Sequence, residues 1–218
     1  MIHPPHITEK FWHELTVESG IKPELAKLNT KFIIGDDVYA ALLYDLPQMA
    51  RRNDRRLRDS YLNRYANVAA SGGLWINSLD PDHDWEKLME WGRLKPVVPR
   101  IDNKGGKIKY ESPARPATNR VSFFRLDLET WRKIAKRYKT AMPERVVLTN
   151  DGEALGFWSW VQSNPQIPII LCEGEKKALC LLSLGYPAIA IPGLTASYCP
   201  TCGGWIVNRS KQQKGVGQ

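Results

Sequence analysis

The stretch from Ile167 to Gly193 constrains this chain most, because it reads as one unit of strand, acidic turn, helix and strand. Ile167, Ile169, Ile170 and Leu171 form an apolar, mostly β-branched run. Such a run predicts a strand buried on both faces, as in a parallel sheet. Glu173-Gly174 ends that strand, and Gly174 permits backbone geometry that other residues resist. Glu175 to Leu184 are good helix formers, stopped by Gly185. Pro187 to Ile191 is a second apolar strand, closed by Pro192-Gly193. Strand, helix and strand in this order make a βαβ crossover. In open α/β sheets the functional site lies at the carboxyl ends of the strands. Glu173 falls at such an edge, with Lys176 and Lys177 in the first helical turn beside it.

Two readings of Glu173 stand side by side. One is a helix-start carboxylate that complements the macrodipole. The other is an acid/base or metal-binding carboxylate. Lys176 and Lys177 oppose the dipole at that helix end, so local propensity does not account for them. They suit a site that receives phosphates, or they are solvated surface lysines.

The net charge is +8, and its distribution says more than its total. Residues 91–145 hold 15 Lys/Arg against 5 Asp/Glu, and residues 51–64 hold 6 Arg against 2 Asp. The rest of the chain is mildly acidic. Two basic segments on an acidic background point to a polyanion partner; the alternative is a solvated basic surface. No apolar run reaches the length of a membrane span, and the N-terminus lacks a signal-peptide pattern. Cys172 and Cys180 fall in the apolar unit as buried thiols, which places the chain in a reducing cytoplasm.

Taken in order, Thr8 is positioned to cap a helix over Glu9 to Glu18, with Gly20 as its stop, and Pro23 to open a short helix to Leu28. Phe32 to Ile34 and Val38 to Leu43 read as short strands. A helix is expected from Gln48 to Val68, with Leu57, Tyr61, Leu62 and Tyr65 on one face and arginines around the rest, placed to track phosphates or to pair with Asp54 and Asp59. Trp75, Trp85 and Trp91 follow, and core packing is favoured over base stacking for them. Asp80, Asp82, Asp84 and His83 lack the glycine and distal glutamate of a calcium loop. Residues 97–112 predict a β-hairpin about Asn103-Lys104-Gly105-Gly106. Lys107 and Lys109 share one face of it, Ile108 and Tyr110 the other, and Arg100 comes from the facing strand. Arg115 and Arg120 follow in a proline-rich loop, and Val121 to Leu126 reads as a strand. Asp127 caps a helix over Glu129 to Lys139, whose stripe of Trp131, Ile134, Ala135 and Tyr138 faces the core while Arg132, Lys133, Lys136, Arg137 and Lys139 face outward. Glu153 to Gln162 reads as a further helix. After Gly193 the periodicity fails; Cys199 and Cys202 form a C-x-x-C without the further ligands of a zinc site.

The strings I-I-L-C-E-G-E-K-K-A and L-L-S-L-G-Y-P-A-I-A-I-P-G resemble the first half of a Toprim domain, the fold shared by bacterial primases, topoisomerases and related nucleases. With G-G-L-W-I-N-S-L-D-P (72–81), M-E-W-G-R-L-K-P (89–96), K-I-K-Y-E-S-P (107–113) and W-R-K-I-A-K-R-Y (131–138), the chain resembles a Toprim-like family of replication proteins of plasmids and mobile elements, often joined to a helicase. The resemblance implies an α/β fold with an α+β N-terminal part. It divides the chain into an accessory helical region (1–70), a basic Trp-rich hairpin-and-helix region (71–150), the first half of a Toprim-like domain (151–195) and an irregular tail (196–218). It implies Glu173 as catalytic acid/base or Mg²⁺ ligand. Lys176, Lys177, Arg100, Lys107, Lys109, Arg120, Arg132 and Lys136 are candidate phosphate ligands. Single-stranded DNA or another nucleic acid, nucleotides and a helicase are the expected partners.

Toprim domains also supply an Asp-x-Asp pair from a later strand, and this sequence has no acidic residue after Glu175. The expectation is therefore a truncated or frameshifted member, or a piece of a longer one, that keeps the basic nucleic-acid surface without a complete active centre. Three functions follow: primase-like synthesis, a non-catalytic nucleic-acid-binding or replisome-interaction module, and a Toprim nuclease-like activity.

Overall fold

Alternation along one central strand organises the molecule, described here from a computed structural model that covers residues 4–114, 117 and 119–192, with backbone pairs at 198–199 and 204–205. His3, Arg115, Gly193, Cys202, the Cys199 thiol and most of the tail lie outside the described residues. The central strand is β2 (Gly73–Leu79), flanked by β1 (Thr30–Ile33) and β3 (Leu88–Pro96), both antiparallel to it. Leu74 and Ile76 enter one core, and Trp75 enters another. Directly opposed residues share a face, so Arg93 opposite Ile76 lies toward the first core and Leu94 opposite Trp75 toward the second. Gly92 is required by this packing: a Cβ there would meet Trp75 Cζ2 at 2.5 Å and the Ile76 carbonyl at 2.6 Å.

The larger core gathers α1 (Glu9–His13), α2 (Pro23–Asn29), α5 (Leu128–Tyr138), α6 (Phe157–Gln162) and α7 (Glu175–Ser183). Trp131 stands at its centre, with ring centroids of Phe157 and Trp160 each at 5.6 Å. Burying a side chain of this size stabilises by roughly 1.5–3 kcal/mol. Asp127 caps α5 as the sequence predicts, accepting from the Thr130 N–H. Thr8 makes no side-chain capping bond, and the helix it precedes continues after His13 as a π-helical turn, Glu14–Glu18.

The smaller core holds α3 (Asp36–Leu43) and α4 (Asp59–Ser71). Here the structure departs from two expectations. Val38 to Leu43 is helical rather than extended, because Val38, Leu42 and Leu43 bury together at helical spacing. The arginine segment is not one helix: a 3₁₀ turn covers Gln48–Ala50, and residues 51–57 form a tight loop closed by an Arg51–Leu57 bridge, with Arg55 at φ +68°. The run Arg51 to Arg56 has no apolar face to pack, so nothing holds it helical. The three tryptophans of 75–91 are core residues as favoured: Trp75 and Trp91 are buried, and Trp85 packs on Phe123.

The βαβ unit forms as read, with β6 (Ile170–Glu173) parallel to β7 (Ala188–Ile191) and α7 between them. The chain is thus an α/β protein. β7 is buried throughout, but Leu171 and Glu173 on β6 are exposed. The expected two-sided burial fails because β7 is the one ladder partner of β6 among the described residues. The segment read as a strand at 121–126 makes single bridges instead. Ser122 pairs Ala190 and Phe123 pairs Leu79, so two residues stitch the parallel pair to the antiparallel sheet.

Candidate functional site

Glu173 ends β6 and Gly174 turns the chain into α7 at φ +98°, a conformation that favours glycine. This turn opens a cavity of about 290 Å³ lined by Glu173, Gly174, Glu175, Lys176 and Lys177, with Arg93 and Tyr110 arriving from other elements. The predicted edge position of Glu173 is therefore observed, and the α7 N-terminus faces a cleft. Five of the lining residues are acidic or basic, and they differ sharply in how they are held.

Lys176 is not a free phosphate ligand. Its Nζ donates to Glu14 Oε1 at 2.5 Å, and Lys95 donates to both oxygens of the same carboxylate. Burial alone would raise the Glu14 carboxyl, but Lys176 and Lys95 overcome it and hold the group below the usual glutamate range. Lys177 is exposed and makes no ion pair among the described residues. Glu175 is buried, and burial pushes its carboxyl above the usual range against the pull of Arg93. Arg93 makes no ion pair among the described residues. Its Cζ lies 5.5 Å from the Tyr110 ring centroid, and its Nε is buried without a hydrogen-bond partner. Burial, with Glu175 and Glu14 adding to it, pushes the Tyr110 phenol up to about 12. The site thus presents an oriented guanidinium, one free lysine and a helix N-terminus, a set of donors suited to an anion.

Residues 157–214 match a family described as a domain of unknown function, DUF3854. The match begins with α6 and includes the whole Glu173 to Lys177 turn. The chain is also 44% identical over 193 residues to an uncharacterized protein of Picosynechococcus sp. (strain ATCC 27264 / PCC 7002 / PR-6). That alignment covers 88% of this chain and 18% of the relative, so the chain spans under a fifth of that protein's length. No solved structure matches. Arg93, Tyr110, Glu14 and Lys95 all come from outside the segment that matches the domain family, so the cavity is completed by the preceding part of the chain.

The other predicted residues do not converge on this cavity. Arg120 is engaged by Asp80 at 2.8 Å and Asp82 at 2.7 Å, beside a different cavity of about 360 Å³. Burial tends to raise the Asp80 carboxyl, but the Asp82 N–H, His83 and Arg120 hold it below the usual aspartate range. Arg132 and Lys136 are exposed on α5. Two of their neighbours act structurally: Lys133 and Arg137 donate to the carbonyls of Ser183 and Leu184 at the end of α7, where cations complement the helix dipole. The hairpin forms as β4 (Arg100–Ile101) and β5 (Lys107–Ile108), with Lys107 and Lys109 exposed as expected. Arg100 is opposite Ile108, however, and so shares the packed side rather than the lysine side. It forms a two-pronged pair with the buried Glu111 carboxylate, through Nε at 3.0 Å and Nη2 at 3.1 Å.

Magnesium requires several oxygen ligands. At the cavity the described residues offer Glu173 and the buried Glu175, set among Arg93, Lys176 and Lys177. No group of three or more metal-ligating side chains occurs among the described residues. This donor set does not fit a magnesium centre. No helix among the described residues is long and apolar enough to cross a membrane.

Sequence reasoning missed Arg93, Tyr110 and Glu14. Arg93 sits in M-E-W-G-R-L-K-P, where alternation assigns it the same face as Lys95; that signal was available. Its convergence with α7 was not.

Proposed function

We propose that this chain is a nucleic-acid-binding module of a replication-associated protein, resembling the Toprim-like proteins of plasmids and mobile elements, and that the Glu173 cavity receives a backbone phosphate. The observation that carries this reading is Arg93: a guanidinium that hydrogen-bonds and ion-pairs with no carboxylate among the described residues, held against Tyr110, drawn on by the buried Glu175, and lining the same cavity as the α7 N-terminus and Lys177. A phosphate there would accept from Arg93, Lys177 and the first backbone N–H groups of α7. Lys176 orients the turn through Glu14 rather than binding the ligand. Glu173, exposed at the rim, stands beside the bound phosphate.

Binding of a fluorescent single-stranded oligonucleotide, followed by anisotropy across a salt series, tests the reading. Wild type should bind with a steep inverse dependence on salt. Arg93→Ala and Lys177→Ala should each bind more weakly and lower the slope of log K against log salt by about 0.7, the loss of one single-strand phosphate contact. Unchanged slopes in both variants would remove the cavity from the binding surface.

Primer synthesis, in the longer proteins the family resemblance implies, is the second reading, and the exposed carboxylate of Glu173 at the strand end favours it. A primer-synthesis assay with NTPs, dNTPs and Mg²⁺ separates the two. Product that disappears in Glu173→Gln supports catalysis, whereas binding without product leaves the binding module.

A further inference from the structure

We propose that the cleft between α4 and the β4–β5 hairpin is a second subsite for the phosphate backbone of a nucleic-acid strand, on the face of the central sheet opposite the Glu173 cavity; the assignment of nucleic acid as ligand rests on the reading above. The placement follows from register. Arg93 and Tyr110 lie toward the larger core, whereas Leu94 bridges Glu111 on the other face and Glu111 holds Arg100.

The cleft has a volume of about 510 Å³ and is lined by Arg64, Arg100, Asp102, Asn103, Lys104 and Ile108. Arg100 spends Nε and Nη2 on Glu111, which fixes the guanidinium plane and leaves Nη1 outside the pair. Its Cζ is 5.5 Å from the Tyr65 ring centroid, and the Cζ of Arg64 is also 5.5 Å from that ring. Two guanidinium groups therefore converge on one buried tyrosine. Arg64 and Lys104 make no ion pair among the described residues. Asp102 is committed to the hairpin turn, where one oxygen accepts from the N–H groups of Lys104 and Gly106 at 2.8 Å each.

Arg64, Arg100 and Lys104 against Asp102 and Glu111 leave one surplus positive charge, the complement of one phosphodiester. Lys107, exposed on the same hairpin, adds to the field. Asp102 and Asn103 put acceptors on the rim, which suit the hydroxyl and amino donors of sugars and bases, groups that the carboxylate side chains of an acidic peptide do not offer. Arginine's planar fork and weak hydration favour phosphate contacts.

The test compares wild type, Arg64→Ala/Lys104→Ala, the charge-conserving Arg64→Lys/Lys104→Arg and Arg93→Ala in the anisotropy salt series. Arg64 and Lys104 are exposed, so the double variant keeps the fold, and its thermal midpoint should equal that of wild type. The expected result is a slope shallower by about 0.7–1.4, one to two single-strand phosphate contacts, in Arg64→Ala/Lys104→Ala. The charge-conserving pair should keep most of the slope, and polyglutamate should compete poorly. Identical slopes for wild type and Arg64→Ala/Lys104→Ala overturn the second subsite, and a continued loss in Arg93→Ala leaves the first standing. Polyglutamate competing as well as DNA also overturns it. No binding by wild type removes both.

Discussion

The two faces of the β1–β2–β3 sheet carry their charge in different ways. Toward the larger core, charges are drawn inward and interlocked: Glu14 joins Lys95 of β3 to Lys176 of α7, and Glu175 is buried near Arg93. Toward the smaller core, Arg100 and Glu111 make the inward pair, while Arg64, Lys104 and Lys107 remain at the surface. The contrast teaches that a basic composition has two uses in one chain. A cation facing a buried carboxylate fixes the position of an element. A cation without one is free to meet a ligand. Charge counts along the sequence treat the two alike.

The sharpest way to break this comparison is to remove the carboxylate at the junction. Glu14→Ala leaves Lys95 and Lys176 together without their shared partner and should cost about 3 kcal/mol, measured by urea unfolding. A loss below about 0.5 kcal/mol would show that the larger-core face is no more interlocked than an ordinary surface. Because the folded Glu14 carboxyl is held low, its contribution is present above the ordinary glutamate range. It is lost as pH falls through the folded value, so the gap between wild type and Glu14→Ala should narrow in acid.

Glu175 has the opposite sign. Its folded carboxyl is held high, so its stabilisation is present below the ordinary glutamate range and is lost as pH rises through the folded value. Glu175→Gln should therefore be more stable than wild type at neutral pH, and the advantage should vanish in acid. A thermal-denaturation series across pH reads it directly; a pH-independent difference would show that Arg93 neutralises the carboxylate after all.

Glu111→Ala probes the second face. It strips the buried carboxylate from Arg100 and should destabilise by about 1–2 kcal/mol, less than the Glu14 change because Arg100 lines an open cleft and keeps its place against the Tyr65 ring. The smallest effect belongs to Arg132→Ala and Lys136→Ala, exposed on α5, for which stability should stay within about 0.5 kcal/mol of wild type. A larger change in either would mean that the outer side of α5 is a structural contact like that of Lys133 and Arg137.

Much of the local structure was legible in the residues. The βαβ unit, the Asp127 cap, the core stripe of α5 and the hairpin about Gly105-Gly106 all form where periodicity and turn chemistry place them. The failures have physical causes. Val38 to Leu43 is a short apolar run, which periodicity alone does not assign to strand or helix. Arginine is a good helix former, so propensity continues α4 back through the arginine loop, although Arg51 to Arg56 has no apolar face to bury. β6 read as buried on both faces because composition does not reveal how many strands pair with it.

By itself, the sequence determined the βαβ unit, the capped α5 and the position of Glu173 at a strand end, since a run of β-branched residues, a Glu-Gly turn and a helix former are local properties. Tertiary structure alone decided which cations are available. Glu14 and Lys176 stand 162 residues apart, and Arg93 meets Tyr110 and α7 only through the register of β3. A charged side chain is a ligand or a strut according to what packing places opposite it, and that partner is set by the fold rather than by its neighbours in the chain.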